Sequence, residues 1–212
     1  MNRTSFLIDG FNLYHSLVDA SIDLKGASTK WLNIASLCNL YVRSLGKDAR
    51  IEQIYYFSAL ATHLIHRDPG KVIRHKAFIE CLRATGVICQ LGRFKAKTVH
   101  CNGCRKDITH HEEKETDVAI SIKLFEILMH DECDTAIIVS GDTDLVPAIR
   151  TVKKLFSGKQ ICIMFPYKRT TKELATIVDH TFTIKKERYL EHQFNDPVIL
   201  PNGRTIQKPA SW

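Results

Sequence analysis

No run of about 18 apolar residues interrupts this sequence, which excludes a chain built around membrane-spanning helices. It also lacks a glycine-rich phosphate loop closing on Lys-Ser or Lys-Thr, and no plausible Ser-His-Asp arrangement stands out. Internal repeats and low-complexity tracts are missing too. The N-terminus enters an apolar strand pattern almost at once, without a basic and apolar leader, so the expectation is a soluble, cytoplasmic protein with no membrane partner. The seven cysteines are odd in number and spread through apparent core and one close pair. That distribution argues for reduced thiols, with a metal in view, and against a disulfide framework.

What is present suits one α/β domain with an appendage: 212 residues, 24.2 kDa, 44% hydrophobic. The formal charge is +7 and the pI near 9.0, and the excess is local. Between His63 and Lys106 stand Arg67, Lys71, Arg74, Lys76, Arg83, Arg93, Lys95, Lys97, Arg105 and Lys106, against only Asp68 and Glu80. A basic face beside acidic loops points to a polyanionic partner. The competing reading is a merely solvated basic helix and loop.

The stretch Thr135 to Pro147 organises the rest. Ala136-Ile137-Ile138-Val139 reads as a strand buried on both faces, ending at Ser140-Gly141. Asp142 and Asp144 follow in a strand-to-helix turn, at the edge where open α/β sheets place ligands. Thr143 or Asp144 could simply cap the helix. The first strand, Ser5 to Ile8, likewise ends in an acid, Asp9, followed by Gly10-Phe11-Asn12. Asn12 is open to two readings: a helix N-cap, or an amide orienting a metal-bound water or a phosphate oxygen.

Elsewhere the pattern predicts a loop over Asp19 to Thr29, a helix over Trp31 to Leu45, a strand within Ile51 to Leu60 and a helix from Gly70 to Ala84. A strand over Val87 to Leu91 comes next. Glu112 to His130 is expected to be a helix with Val118, Ile122, Phe125 and Leu128 inward, and with Glu113, Asp117 and Ser121 sharing another face. A strand over 160–165, a basic loop carrying Lys168 and Arg169, a short helix and a short strand close the domain near 185. The tail, 186–212, is expected as an extension with a hairpin around Pro201-Asn202-Gly203.

Gly92 to Thr109 breaks the α/β rhythm, being polar, basic and without periodicity, and is read as an insertion at about 92–110. It holds Cys101-Asn102-Gly103-Cys104, a knuckle that aims two sulfurs at one Zn²⁺. One knuckle is half a tetrahedral site; His100, His110, His111 or a second chain could complete it. Two free thiols flanking an ordinary turn is the alternative.

Asp9, Asp117 and the Asp142/Asp144 pair meet at one sheet edge if the first and central strands are neighbours. Clustered carboxylates repel unless a cation compensates, and all-oxygen ligands select Mg²⁺ or Mn²⁺. Beside a basic face, such a cluster fits metal-assisted phosphodiester hydrolysis. A phosphatase of the haloacid dehalogenase type also wants an acid after the first strand, but its second acid falls here on Phe11.

At Leu7 to Asn12, Glu112 to Val118 and Val139 to Pro147 the sequence resembles the NYN domain family, a branch of the PIN-like nucleases, in the order and spacing of all three elements. Nearly the whole chain takes part, and the knuckle resembles that of the LabA-like bacterial group. The resemblance implies a three-layer α/β/α PIN-like domain over 1–185 with a mainly parallel sheet. It implies divalent metal on Asp9, Asp117, Asp142 and Asp144, with Asn12 as the polar residue after the first strand and RNA as substrate. Ser140 and Thr143 would assist from the central turn; Arg93, Lys95, Lys97, Lys114, Lys168 and Arg169 are the basic candidates for RNA contact. Many PIN-like relatives carry a further acid along the Asp117 helix, where this chain has Ser121 and Lys123. That departure leaves two functions standing: a metal-dependent ribonuclease, or an RNA-binding regulatory module with little turnover. A homodimer is left open.

Metal analysis tests the knuckle. About one zinc per chain, lost in both Cys101→Ser and Cys104→Ser, is the expected outcome; zinc-free protein with two alkylatable thiols there rejects the site.

Overall fold

A computed structural model describes residues 1–101, 103 and 105–212, and of residues 101 and 108–113 the backbone only. The main sheet has seven strands in the order β4-β3-β2-β1-β5-β6-β7. These are β1 (Asn2–Asp9), β2 (Ala49–Ala59), β3 (Ile88–Cys101), β4 (Lys106–Lys114), β5 (Thr135–Val139), β6 (Gln160–Phe165) and β7 (His180–Thr183). All neighbours run parallel except β3 and β4. The order reverses direction between β1 and β5, where Ile8 pairs with Val139. This is the switch point of a doubly wound sheet, and the carboxyl ends of both strands open there into a crevice.

Successive residues of β1 face opposite cores. Phe6 and Ile8 join one apolar cluster, and Leu7 the other. The first cluster is completed by α1 (Gly10–Asp23), α2 (Ile34–Val42), α3 (Pro69–Ala84) and Tyr189 of α7 (Lys186–Glu191). The second takes α4 (Thr116–Met129), α5 (Val146–Leu155) and α6 (Lys172–Ile177). Helices therefore cover both faces, giving the three layers expected. No helix among the described residues is long and apolar enough to cross a membrane.

Several expected boundaries move, each for a physical reason. Helix α1 continues through the predicted loop to Asp23 because Ala20 is fully buried and the carboxylates of Asp19 and Asp23 are held from outside by Arg169 and Lys168. Helix α2 starts at Ile34, not Trp31, because the Asn33 side chain accepts from Ser36 N at 3.0 Å and caps it. The supposed excursion at 92–110 is two long strands, β3 and β4, paired antiparallel from Arg93↔Lys114 to Cys101↔Lys106. Lys114 is consequently in a strand, and α4 begins at Thr116 instead of Glu112. Glu113 does not share a helix face with Asp117. The buried side of α4 is Ile120, Leu124, Ile127 and Leu128, while Val118 and Ile122 are 62% and 61% exposed. A helix this apolar all round gives no unique stripe to read.

The tail folds back onto the first core. The short strands β8 (Val198–Ile199) and β9 (Thr205–Ile206) form the expected hairpin, and Phe194, Val198, Leu200 and Ile206 are buried in that cluster. Ser16 on α1 donates to Tyr167 O at 2.8 Å and lies 2.8 Å from Tyr189 Oη, so α1, the loop after β6 and α7 are tied together in the interior.

Gly10 opens α1 where a Cβ would stand 2.5 Å from Phe57 O and 2.7 Å from the Tyr56 ring. Gly10→Ala should cost about 1–3 kcal/mol, since a backbone carbonyl of the central sheet has little room to yield. A urea unfolding midpoint unchanged from the parent would show that the contact relaxes freely.

Candidate metal centre

Asp9 ends β1 and caps α1. Its Oδ1 accepts from Phe11 N at 3.1 Å and Asn12 N at 2.9 Å, and its Oδ2 accepts from Ser140 Oγ at 2.7 Å. The N-cap of α1 is thus Asp9 and not Asn12, which frees the Asn12 amide. Asn12 Oδ1 accepts from Gly141 N at 3.0 Å, stitching the turn after β1 to the turn after β5. Gly141 is required there, because a Cβ would overlap the Arg169 carbonyl. Ser140 Oγ also accepts from Asp142 N at 3.0 Å, and Asp142 Oδ1 accepts from Asp144 N at 3.0 Å, capping a short turn at Thr143–Leu145. Neither Thr143 nor Asp144 is the cap.

Carboxylate oxygens of Asp9, Asp117 and Asp142 lie within 4.8 Å of one another. Asp144 lies outside that group, exposed on the rim with Thr143, yet close enough to add to the repulsion felt by Asp117. At an effective dielectric constant of about 20, charges at such spacing repel by roughly 3 kcal/mol per pair. Burial raises the Asp9 carboxyl above its ordinary value, against the lowering effect of its hydrogen bonds. Asp117, half-buried, is pushed up to about 6 by desolvation first and then by Asp142, Asp9 and Asp144. Among the described residues, no lysine or arginine forms a salt bridge with Asp9 or Asp117.

The opposite sheet edge shows what the same residue type does with cations at hand. Asp134, just before β5, receives Arg3 Nη2 at 2.9 Å and Lys159 Nζ at 3.3 Å, and the Arg3 hydrogen bond holds its carboxyl well below the usual range. Among the described residues, the cluster at the crevice has no such partner. Its donor set is all oxygen, and the hydrogen bonds on Asp9 leave Oδ2 a free lone pair directed by Ser140. Residues of this kind fit a hard divalent cation.

The cleft is further lined by Phe11, His15, Glu115 and Thr116, none of which the sequence reading singled out as a site residue. His15 had a usable signal: it follows Asn12 by one helical turn and so shares its face. Arg93 reaches the rim, its Nε 2.7 Å from Glu115 Oε1. Lys95 and Lys97 alternate with Phe94 and are exposed on the same strand, and Lys114 is exposed at the end of β4. Lys168 and Arg169 turn to α1, with Lys168 Nζ 2.5 Å from Asp23 and Arg169 Nη2 2.6 Å from Asp19. Lys123 pairs with Glu126 at 2.6 Å. The knuckle expectation involves Cys104 and the side chains of Cys101, His110 and His111, which lie outside the described residues. In the ladder, His110 and His111 pair with Lys97 and Ala96, whereas Cys101 pairs with Lys106. The His100 Nδ1 lies 2.8 Å from Asp107.

A doubly wound α/β domain with a carboxylate cluster at its switch point is the PIN-like arrangement. The NYN domain pattern matches residues 3–185, and the chain belongs to that family. Among curated proteins it is similar to 6-hydroxy-3-succinoylpyridine 3-monooxygenase HspA of Pseudomonas putida, 22% identical over 99% of this chain and 75% of that one. Among solved structures it shares its fold with a protein of unknown function from Vibrio parahaemolyticus. The TM-score is 0.55 at 18% identity, covering 87% of this chain and 93% of that one.

The raised Asp117 sets the sign of a pH effect. The folded protein holds a proton on Asp117 that the unfolded chain has lost, so the contribution of this group to stability falls as pH rises from about 4 to 6 and stays low above. In chelator, Asp117→Asn should unfold later than the parent at pH 7.5, by on the order of 1 kcal/mol once solvent screening of a half-exposed group is allowed for. The gain should shrink at pH 4.5 and be matched in the parent by added Mn²⁺. Identical urea midpoints for both proteins at pH 7.5 would remove the electrostatic strain argued here.

Proposed function

We propose that this protein is a divalent-metal-dependent ribonuclease that hydrolyses RNA phosphodiester bonds at the Asp9, Asp117 and Asp142 cluster. The observation that carries the reading is convergence of the three carboxylates, uncompensated by any described cation, at the switch point beside a basic hairpin. Asp9, Asp117 and Asp142 would hold Mg²⁺ or Mn²⁺, with Asp144 at the rim. Such an ion, when bound, supplies activation of water and charge stabilisation at the phosphate. Ser140 orients Asp9 by donating to Oδ2, and its own Oγ fixes the backbone of Asp142. Asn12 keeps the two turns in register through Gly141. Arg93, Lys95, Lys97 and Lys114 supply positive charge along the hairpin for the RNA backbone. Lys168 and Arg169, tied to Asp23 and Asp19, serve first to clamp the loop that presses on Gly141.

One observation favours a second reading, an RNA-binding regulatory module with little turnover. Along α4 beyond Asp117 the positions of interest are Ser121 and Lys123, and Lys123 is engaged with Glu126, so the helix adds no further acid to the cluster there.

With Mn²⁺, the protein should cleave single-stranded RNA, stop in chelator, and lose cleavage in Asp142→Asn. Ser140→Ala, which unhooks Asp9 without removing a carboxylate, should lower activity by about 10- to 100-fold. Metal-dependent cleavage undiminished in Asp142→Asn would overturn the ribonuclease reading. RNA affinity unchanged on charge reversal of Arg93, Lys95 and Lys97, and between low and high salt, would return the hairpin to a merely solvated surface.

A further inference from the structure

Beside the acidic cleft lies a second, larger hollow of ≈ 450 Å³ between α1, the end of β2, α3 and β3. Phe11 and His15 line both spaces, so the two adjoin through one turn of α1. Its walls near that junction are aromatic: the rings of Phe11 and Phe94 are 5.6 Å apart, and His63 lies 4.7 Å from Phe94. Further in, Tyr56, Phe78 and Trp212 continue the lining.

We propose that this hollow is a nucleobase-binding subsite, which seats the base of a nucleotide whose phosphate lies at the acidic cleft. It deepens the ribonuclease reading and rests on it for the position of the phosphate. Three features favour a base. The volume falls within the roughly 300–1,000 Å³ typical of small-molecule sites. Flat aromatic walls suit any base, because every base has a π-face, and this is the usual means of holding single-stranded nucleic acid. The polar groups within are few: Ser58 is 2% exposed, and its Oγ lies 3.5 Å from Nε2 of His75. Burial lowers the His75 pKa to about 4, so its imidazole is neutral, and with Nε2 beside Ser58 its Nδ1 remains for a base edge.

The charges lining the hollow agree with a nucleotide. Lys30, Lys71 and Arg74 line the hollow, with Asp68 as the acid, already held by Arg74 at 2.9 Å. Lys30 Nζ sits over the Tyr14 ring at 5.9 Å from its centroid. Position explains how the hairpin takes part. Phe94 alternates with Arg93 and Lys95 along β3, so one face of the strand is basic while the other closes the aromatic wall.

Titration of the full chain in Mn²⁺ with AMP, UMP and ribose 5-phosphate, none of which carries a phosphodiester to cleave, followed by calorimetry, tests the subsite independently of cleavage. Both nucleotides should bind at least about tenfold more tightly than ribose 5-phosphate, which lacks the base. Phe94→Ala removes a wall and Ala61→Trp fills the hollow; each should weaken nucleotide binding by roughly 5- to 100-fold, the range of losing one stacked base. Circular dichroism and the urea midpoint identify a variant that has merely failed to fold, and two variants of opposite steric sense guard against it. Equal binding of all three ligands, or parental affinity in both folded variants, overturns the proposal. If the parent cleaves RNA while nucleotide binding ignores the base, the subsite falls and the ribonuclease stands. If nucleotide binding depends on Phe94 while the parent fails to cleave RNA, the ribonuclease reading falls and the base site stands.

Discussion

The buried carboxylate of Asp9 is the tie on which the crevice depends. One oxygen closes the first turn of α1 by accepting two backbone amides, and the other receives the Ser140 hydroxyl from the end of β5. A carboxylate that is 3% exposed would be costly without those donors. With them, it locks the ends of two parallel strands in register. Asn12 and Ser140 extend the lock to Gly141 and Asp142. The parts of the site are therefore held by backbone and buried hydroxyls, leaving the remaining carboxylate capacity directed into the cleft.

Charge divides the sheet into two ends with opposite economies. At the amino ends of β1 and β5, Arg3 and Lys159 satisfy Asp131 and Asp134, which are stable as anions. At the carboxyl ends, Asp9 and Asp117 are raised by burial and by their neighbours. The first arrangement contributes to folding, and the second works against it. An acidic cluster that opposes its own fold is the common condition of a site awaiting a cation or a proton.

The β3–β4 hairpin links this centre to its surroundings. It carries the sheet beyond the parallel core by one antiparallel strand, sets a row of basic side chains outward and returns the chain directly into α4 just ahead of Asp117. Glu115, at positive φ of 82°, marks the sharp turn between strand and helix, and its carboxylate is met by Arg93 from the opposite strand. The direction of α4, and with it the reach of Asp117, is thus coupled to the hairpin.

The sequence alone determined the acids after β1 and β5 and the parallel sheet that joins them. Both rest on local signals: short β-branched runs buried on two faces, each stopped by Gly and an acid within three residues. The hairpin was not legible, because its sequence is polar and basic and its few apolar residues, such as Phe94, are too sparse to mark a strand. The inward face of α4 was equally hidden, since Val118 and Ile122 are as apolar as Ile120 and Leu124 and only packing against the sheet chose between them. Tertiary structure decided the extension of α1 through Asp23, the clamping of Lys168 and Arg169, and the meeting of Phe11, His15, His63 and Phe94 around one hollow. Those residues are brought together from α1, the loop after β2 and β3, and contacts between segments so far apart follow from strand order and register, which no local pattern encodes.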